Sequence, residues 1–296
     1  MKPTWNIPEG MVDNADEFRN QFFDRFTLRH ADKPVQLTDT ISKNYLFPTF
    51  YGDVTCAMAI CFCSFEKART LVQQRLGPKV EPVHMMGGRS IVAFSCYEYK
   101  KVMNVNPYNE IAVAIPVLVN QAIRPPVLPM IMGFERSGYY IAGMPVTSHE
   151  NTLRGHNIWS LPKETQEIDI YREGDDCCSV AKEEDGTPYL TVRVPMKGKP
   201  AEFDEEGYLY THHNGRLTRS KTCFKATFNV QKHMGLLFKK GVAPDRPYIT
   251  IADSPPAAYL RELEIEPHPF QFRYAEHMSS CFDLPDEPMP RWAQNN

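Results

Sequence analysis

No stretch of this 296-residue chain is apolar over the roughly 18 residues that a membrane helix requires, and Met1-Lys2-Pro3-Thr4-Trp5 lacks the apolar core of a secretory leader. The expectation is a soluble, cytoplasmic protein with no membrane partner. An excess of one charge is also missing: 33 Lys and Arg stand against 36 Asp and Glu, for a net charge of -3. The basic residues are scattered instead of gathered into a stripe, which argues against nucleic acid as a partner. A glycine-rich phosphate loop is lacking, because Gly87-Gly88 has no third glycine and no Lys-Ser or Lys-Thr completes a phosphate-loop pattern. Gly-x-Ser-x-Gly is absent as well, so a serine hydrolase has no support. Repeats and low-complexity segments are not found either.

What is present is a large apolar fraction, 42% hydrophobic, enough for a sizeable core. Eight cysteines fall mostly inside apolar runs and read as buried free thiols instead of disulfides. Cys61 and Cys63, two apart, share one face of a strand; zinc pairs usually sit on turns with two to four residues between them. His212-His213 directly precede Asn214-Gly215 and read as a hairpin end, since neighbours on a strand point to opposite faces. No metal and no cofactor are expected.

Residues 1–45 are polar and charged and read as an N-terminal arm. Phe18, Phe22, Phe23 and Phe26 recur there at near-helical spacing, which predicts one amphipathic helix over 14–28. From Tyr45 the texture changes, and 46–296 reads as the main domain. Segment 54–62 is an apolar strand, followed by a helix that Ser64 caps and Gly77-Pro78 ends. Segments 91–99 and 111–119 predict paired strands around a turn, and 138–146 a third, leading to a short helix capped by Ser148. Asp185-Gly186 and Asn214-Gly215 between alternating runs predict hairpins. Strands over 223–230, 248–252 and 270–274 and a short helix over 256–263 complete the count. The fold class is mainly β (α+β), an antiparallel sheet or barrel with a few short peripheral helices, not a doubly wound α/β fold.

One residue stands out chemically. Lys163, in Ile158-Trp159-Ser160-Leu161-Pro162-Lys163-Glu164, lies in an apolar, aromatic context. Burial destabilises an ammonium relative to the neutral amine, and a neutral amine can attack a ketone. Composition alone favours the plainer reading, a lysine that begins a strand and snorkels to solvent beside Glu164 or Glu167. Glu110, likewise, is either an active-site carboxylate or one that holds the turn at Asn106.

The run Asn106-Pro107-Tyr108-Asn109-Glu110, an apolar strand, the Gly138-Tyr139-Tyr140 strand and then Arg154-Gly155-His156-Asn157-Ile158-Trp159-Ser160-Leu161-Pro162-Lys163 together resemble the acetoacetate decarboxylase family in order and spacing. The resemblance spans roughly 45–284 and is motif-specific in its middle. It implies a closed, mostly antiparallel β-barrel with an apolar interior, usually assembled as a homo-oligomer, acting on a small keto acid or ketone. It implies that Lys163 is the Schiff-base lysine, that Glu110 handles protons or positions substrate, and that Trp159, Tyr108 and Leu161 line the substrate site. An activated lysine of this family is itself a worked example of covalent catalysis.

Three departures accompany the resemblance. Glu164 stands where the decarboxylase has a second lysine, no arginine occurs between His30 and Arg69, and Ser95 takes the place of a second acidic residue, with Glu98 nearby. These changes leave decarboxylation, aldol condensation and dehydration open, all through one iminium. The competing classes are a noncatalytic barrel that binds a small apolar or carbonyl ligand with Lys163 as an anchor and, more weakly, a metal enzyme using His212 and His213.

Overall fold

The computed structural model describes residues 1–120 and 136–286. In the arm lie three two-residue strands, β1 (Arg29–His30), β2 (Val35–Gln36) and β3 (Ser42–Lys43), and a fourth, β4 (Leu46–Phe47), follows it. Then follow β5 (Thr49–Ser64), helix α1 (Phe65–Leu76), β6 (Val80–Pro82), β7 (Arg89–Val102), β8 (Tyr108–Val119) and β9 (Ser137–Val146). Helix α2 (His149–Arg154) continues into a π-helical turn (Gly155–Trp159) and β10 (Lys163–Thr165). The second half comprises β11 (Glu167–Glu173), β12 (Asp176–Lys182), β13 (Pro188–Pro195), β14 (Lys199–His213), β15 (Arg216–Lys232), β16 (Ile249–Ile251), α3 (Ala258–Glu262) and β17 (Gln271–Pro285).

Seven strands close a barrel in the order β9, β14, β15, β17, β5, β7, β8 and back to β9. Its ladders are antiparallel except where β9 meets β14, at the parallel pair Leu209 and Tyr139. A second sheet, β11-β12-β13-β16, stands beside it. Side chains alternate between two faces at the strand period. Cys56, Tyr99, Ala112, Ala114, Ile141, Phe228 and Ala275 point into the lumen, with Met58, Tyr97, Phe203 and Leu209 beside them. Ala57, Ala59, Phe94, Cys96, Ile111 and Val113 point outward into a core shared with Ala68 and Val72 of α1, Val192 and Val194 of β13 and Leu260 of α3. On the outer face of β14 and β15 charge pairs such as Lys221 with Glu206 at 2.8 Å meet solvent, while Tyr210 enters the outer core and Cys223 is covered by Phe18, Phe22 and Phe23. Outward-facing residues are therefore apolar where the second layer or the arm covers a strand and charged where nothing does.

The hairpins form at Asn214-Gly215, with φ of 50° and 76°, and at Asp185-Gly186, where Gly186 has φ of 87°. All eight cysteines are buried free thiols. Two expectations need correction. The arm contains two 3-10 turns, Ala15–Glu17 and Phe23–Arg25, instead of one amphipathic helix. Asn20 Oδ1 accepts from the amides of Phe22 and Phe23, the donors that a continuous helix would direct to carbonyls one turn back. The Phe-rich face still packs, since Phe18, Phe22 and Phe23 are buried with Phe50, Met103 and Cys281. Strand β15 is one 17-residue element where the sequence suggested two. The polar run Ser220-Lys221-Thr222 continues the strand, with Lys221 on its outer face beside Glu206.

Candidate active site

The chain reaches Lys163 through a turn that the sequence dictates residue by residue. Ser148 caps α2, its Oγ accepting from the Asn151 amide at 3.3 Å. The π-helical turn ends at Ser160, whose φ of 51° reverses the chain. The Leu161 amide then donates back to the Gly155 carbonyl at 3.1 Å. β10 pairs parallel with β9, Lys163 opposite Met144. Leu161 and Lys163 are buried while Pro162 and Glu164 are exposed, as alternation requires. Glu164 thus faces solvent, where Gln166 Nε2 donates to it at 3.0 Å. Its negative charge is directed away from the lysine amine.

Lys163 is 6% exposed and Glu110 2%. Lys163 Nζ donates to Glu110 Oε2 at 2.6 Å, and Tyr99 Oη donates to the other carboxylate oxygen, Oε1, at 3.2 Å. The lysine stem lies against Gly155: a β-carbon there would come within 2.6 Å of Lys163 Cδ and 2.9 Å of Cγ. His156 Nε2 donates to the Lys163 carbonyl at 2.7 Å, which fixes the start of β10. Nζ also stands 5.6 Å from the centroid of the Tyr108 ring.

Around the pair is a wall of phenols. Tyr99 lies 4.7 Å from both Tyr51 and Tyr108, centroid to centroid, and 5.3 Å from Tyr97, on which it stacks. Burial pushes the Tyr51 phenol up to about 12, and holds Tyr97, Tyr99 and Tyr108 well above the ordinary tyrosine value, with the Glu110 charge adding to the rise. These hydroxyls stay protonated at neutral pH and serve as donors, not bases. The Tyr108 hydroxyl is buried with the Tyr51 phenol as its hydrogen-bonding neighbour.

Of the five residues singled out in the sequence, Lys163, Glu110 and Tyr108 come together. Trp159 packs at the barrel end, its ring 4.7 Å from Phe282 and 6.0 Å from Phe47, its Nε1 donating to the Asp283 carbonyl at 2.8 Å. Leu161 is buried in the turn between Trp159 and the lysine. Ser95 lies on the lumen face with Tyr97, whereas Glu98 faces outward and accepts from Thr55 Oγ1 at 3.0 Å. Glu98 therefore does not replace an acidic residue at 95. His213 Nδ1 meets Ser160 Oγ at 2.7 Å. Among the described residues no group of three or more His, Cys, Asp or Glu is arranged around a metal position.

Tyr51, Tyr99 and Gly155 escaped the sequence reading as functional residues. The alternation Tyr97, Tyr99 on one face of β7 was a signal for the aromatic wall. A second buried ionic group, also unread, lies behind the turn: Glu150 Oε1 accepts from Lys43 Nζ at 3.0 Å and from Tyr45 Oη at 2.5 Å. Arg154 donates to Thr49 and Asn151 and lies 4.3 Å over the Tyr45 ring. It ties the arm to the helix that leads to the lysine. Burial is the first cause of the raised Tyr45 phenol, opposed by Arg154 and assisted by Glu150.

Comparison with solved structures supports the barrel. The chain is similar to acetoacetate decarboxylase from Legionella pneumophila subsp. pneumophila str. Philadelphia 1, with TM-score 0.54 and 12% identity over 81% of this chain and 86% of that one. It is equally similar to the enduracididine biosynthesis enzyme MppR complexed with pyruvate, with TM-score 0.54 and 11% identity over 85% and 98%. At such identities the likeness is one of fold. No curated protein matches the chain. The family model for acetoacetate decarboxylase (ADC) matches residues 32–225, which include Lys163, Glu110 and the turn that joins α2 to β10, and the chain belongs to the acetoacetate decarboxylase family.

Proposed function

We propose that the protein is a Schiff-base lyase in which Lys163 condenses with the carbonyl of a small keto acid or ketone inside the barrel. The observation that carries this reading is the buried Lys163 Nζ, 2.6 Å from Glu110 Oε2 and enclosed by tyrosines. The carboxylate accepts a proton from the ammonium without solvent and leaves a neutral nucleophile. Nζ forms a bond to the carbonyl carbon, one proton passes from the nitrogen to the oxygen, and Glu110 returns to that oxygen the proton it took, so that it departs as water and leaves an iminium. With a carboxylate on the β carbon, the C–C bond breaks, carbon dioxide leaves and its electron pair passes to the iminium, giving an enamine. Protonation of the enamine carbon and hydrolysis release the ketone and restore the amine. The net reaction consumes one proton per carbon dioxide. With a second carbonyl compound present, the same enamine carbon can attack it in an aldol step.

The phenol wall supports this reading because it surrounds the amine with donors and aromatic faces while excluding bulk water. Tyr108 lines the substrate site in this proposal. Trp159 and Leu161 serve it from behind, shaping the cap that holds the lysine turn. We extend the proposal to a cytoplasmic homo-oligomer, for which light scattering on the purified protein gives the assembly size.

The test is reductive trapping. The intact protein is incubated with acetoacetate, pyruvate or acetylacetone and borohydride, and the adduct is mapped by peptide mass. A reduced adduct on Lys163, lost in Lys163→Ala, is expected. Absence of an adduct with every carbonyl compound would turn the reading to a barrel that binds ligand without covalent chemistry. Carbon dioxide release across a set of keto acids then separates decarboxylation from aldol and dehydration steps.

A further inference from the structure

Several arginines of this protein ion-pair with a carboxylate: Arg25 with Asp204, Arg193 with Glu173, the buried Arg219 with Asp286 and Arg246 with Asp176. Arg273 does not. On β17 the residues Gln271, Arg273 and Ala275 alternate with Phe272 and Tyr274, and it is the latter two that enter the outer core. Arg273 therefore shares the lumen face with Ala275. Its guanidinium lies 4.6 Å over the Phe203 ring on β14, two strands away. With its amide oxygen turned toward β17, Gln271 accepts from Arg273 Nε at 2.7 Å and Nη2 at 3.1 Å. Tyr139, Cys56 and the exposed Glu205 stand near enough to be felt electrostatically, but among the described residues no carboxylate reaches ion-pairing distance. Burial pushes the Arg273 guanidinium down from its usual value, yet an arginine remains a cation throughout the physiological range.

The barrel register places this cation relative to the amine. Arg273 pairs with Met58 on β5 and Met58 with Ser95 on β7, so its cross-strand row carries no acid. The adjacent row, one pleat along, is Ala275, Cys56, Tyr97 and Glu110. β17 and β8 are three strands apart one way round the barrel and four the other, and so face each other. Seven strands about 4.8 Å apart and tilted by roughly 40° enclose a backbone circle roughly 14 Å across. Arg273 and the Lys163–Glu110 pair project into that circle from opposing walls. A half-buried cation held only by a neutral amide and an aromatic face is costly to retain, and its planar fork matches a carboxylate.

We propose that Arg273 is the carboxylate-recognition residue of the lumen, binding the carboxylate of an oxo acid whose carbonyl carbon lies at Lys163 Nζ. The substrate class is then an anionic keto acid, not a neutral ketone. For its carbonyl end alone, the proposal rests on the Schiff-base reading.

Two measurements keep the two readings apart. In the Lys163→Ala protein, calorimetry reads binding of levulinate and of levulinamide, which has the same skeleton without the charge. Adding Arg273→Gln is expected to weaken levulinate about tenfold or more and to leave levulinamide unchanged, the loss of one charge-assisted fork. Arg273→Lys keeps the charge and is expected to lose less. Ser95→Asp, which truncates nothing, supplies an internal carboxylate to the same row and is expected to weaken levulinate as well. Equal levulinate affinity with and without Arg273, or an equal loss for levulinamide, overturns the proposal. Borohydride trapping on the lysine-containing protein supplies the second arm. If Arg273-dependent levulinate binding persists without any Lys163 adduct, the carboxylate site stands and the covalent reading fails. If levulinate traps on Lys163 at the same rate in Arg273→Gln, the covalent reading stands and the carboxylate site fails.

Discussion

A lysine amine sits at the end of four methylenes, so its position is decided by what its stem rests on. Here that surface is Gly155, eight residues upstream, where a β-carbon would press to 2.6 Å from Lys163 Cδ. Gly155→Ala is expected to displace the amine from Glu110, and a misplacement of about 1 Å costs on the order of a hundredfold in rate. Alanine favours helical backbone over glycine by about 1 kcal/mol, which offsets only part of the cost of separating a buried ion pair, so stability is expected to fall as well. Trapping rate and urea midpoint, measured together, check this; an unchanged trapping rate would refute it. At this scale Lys163 and Glu110 were legible as candidates, because the motif spacing points to both, 53 residues apart though they are. Tyr99 and Arg273 were not, because alternation along a strand tells which face a side chain takes and nothing of what it meets across a lumen.

Elements were legible where local chemistry and tertiary need agreed. Asn214-Gly215 and Asp185-Gly186 mark their hairpins because each needs positive φ, and Ser148 marks a helix start because its hydroxyl satisfies a free amide. The arm is the opposite case. Phenylalanines at near-helical spacing suggested a helix, but the segment is shaped by Asn20 and by the aromatic pocket under it. Phe23 is 3% exposed and its ring lies 4.7 Å from Phe50 and 5.4 Å from Phe18. Phe23→Ala is expected to destabilise the protein by about 3–5 kcal/mol, as for a fully buried ring, with Phe26→Ala, at a half-buried site, costing less. Denaturant unfolding of the two variants checks the order; equal or negligible losses would mean that the arm is not part of the folded core.

At the scale of the whole molecule the barrel closes at one seam. β9 has its far edge divided between two short parallel partners: β14 through Leu209 and Tyr139, and β10 through Lys163, Glu164 and Thr165. The other barrel ladders are longer, such as the fifteen paired positions between β14 and β15. The seam admits little bulk. A β-carbon on Gly138 would stand 2.5 Å from the Tyr208 carbonyl oxygen and 2.6 Å from the Tyr210 ring, and backbone cannot yield as a side-chain tip can. Local opening free energies follow the density of such pairing, so the seam is expected to exchange its amides sooner than the β14–β15 ladder. Gly138→Ala is expected to force β9 and β14 apart and to speed exchange at 139–141 and 209–211 about tenfold or more, as an opening made easier by about 1.4 kcal/mol requires. Because β10 hangs on the same edge of β9, Lys163 is expected to trap carbonyl compounds more slowly in that variant even though Gly138 touches neither the lysine nor Glu110. Hydrogen exchange by mass spectrometry, run beside borohydride trapping, distinguishes the outcomes. Faster exchange with unchanged trapping would show the lysine strand to be held independently of barrel closure, and unchanged exchange would show that the seam is not the weak point of the barrel.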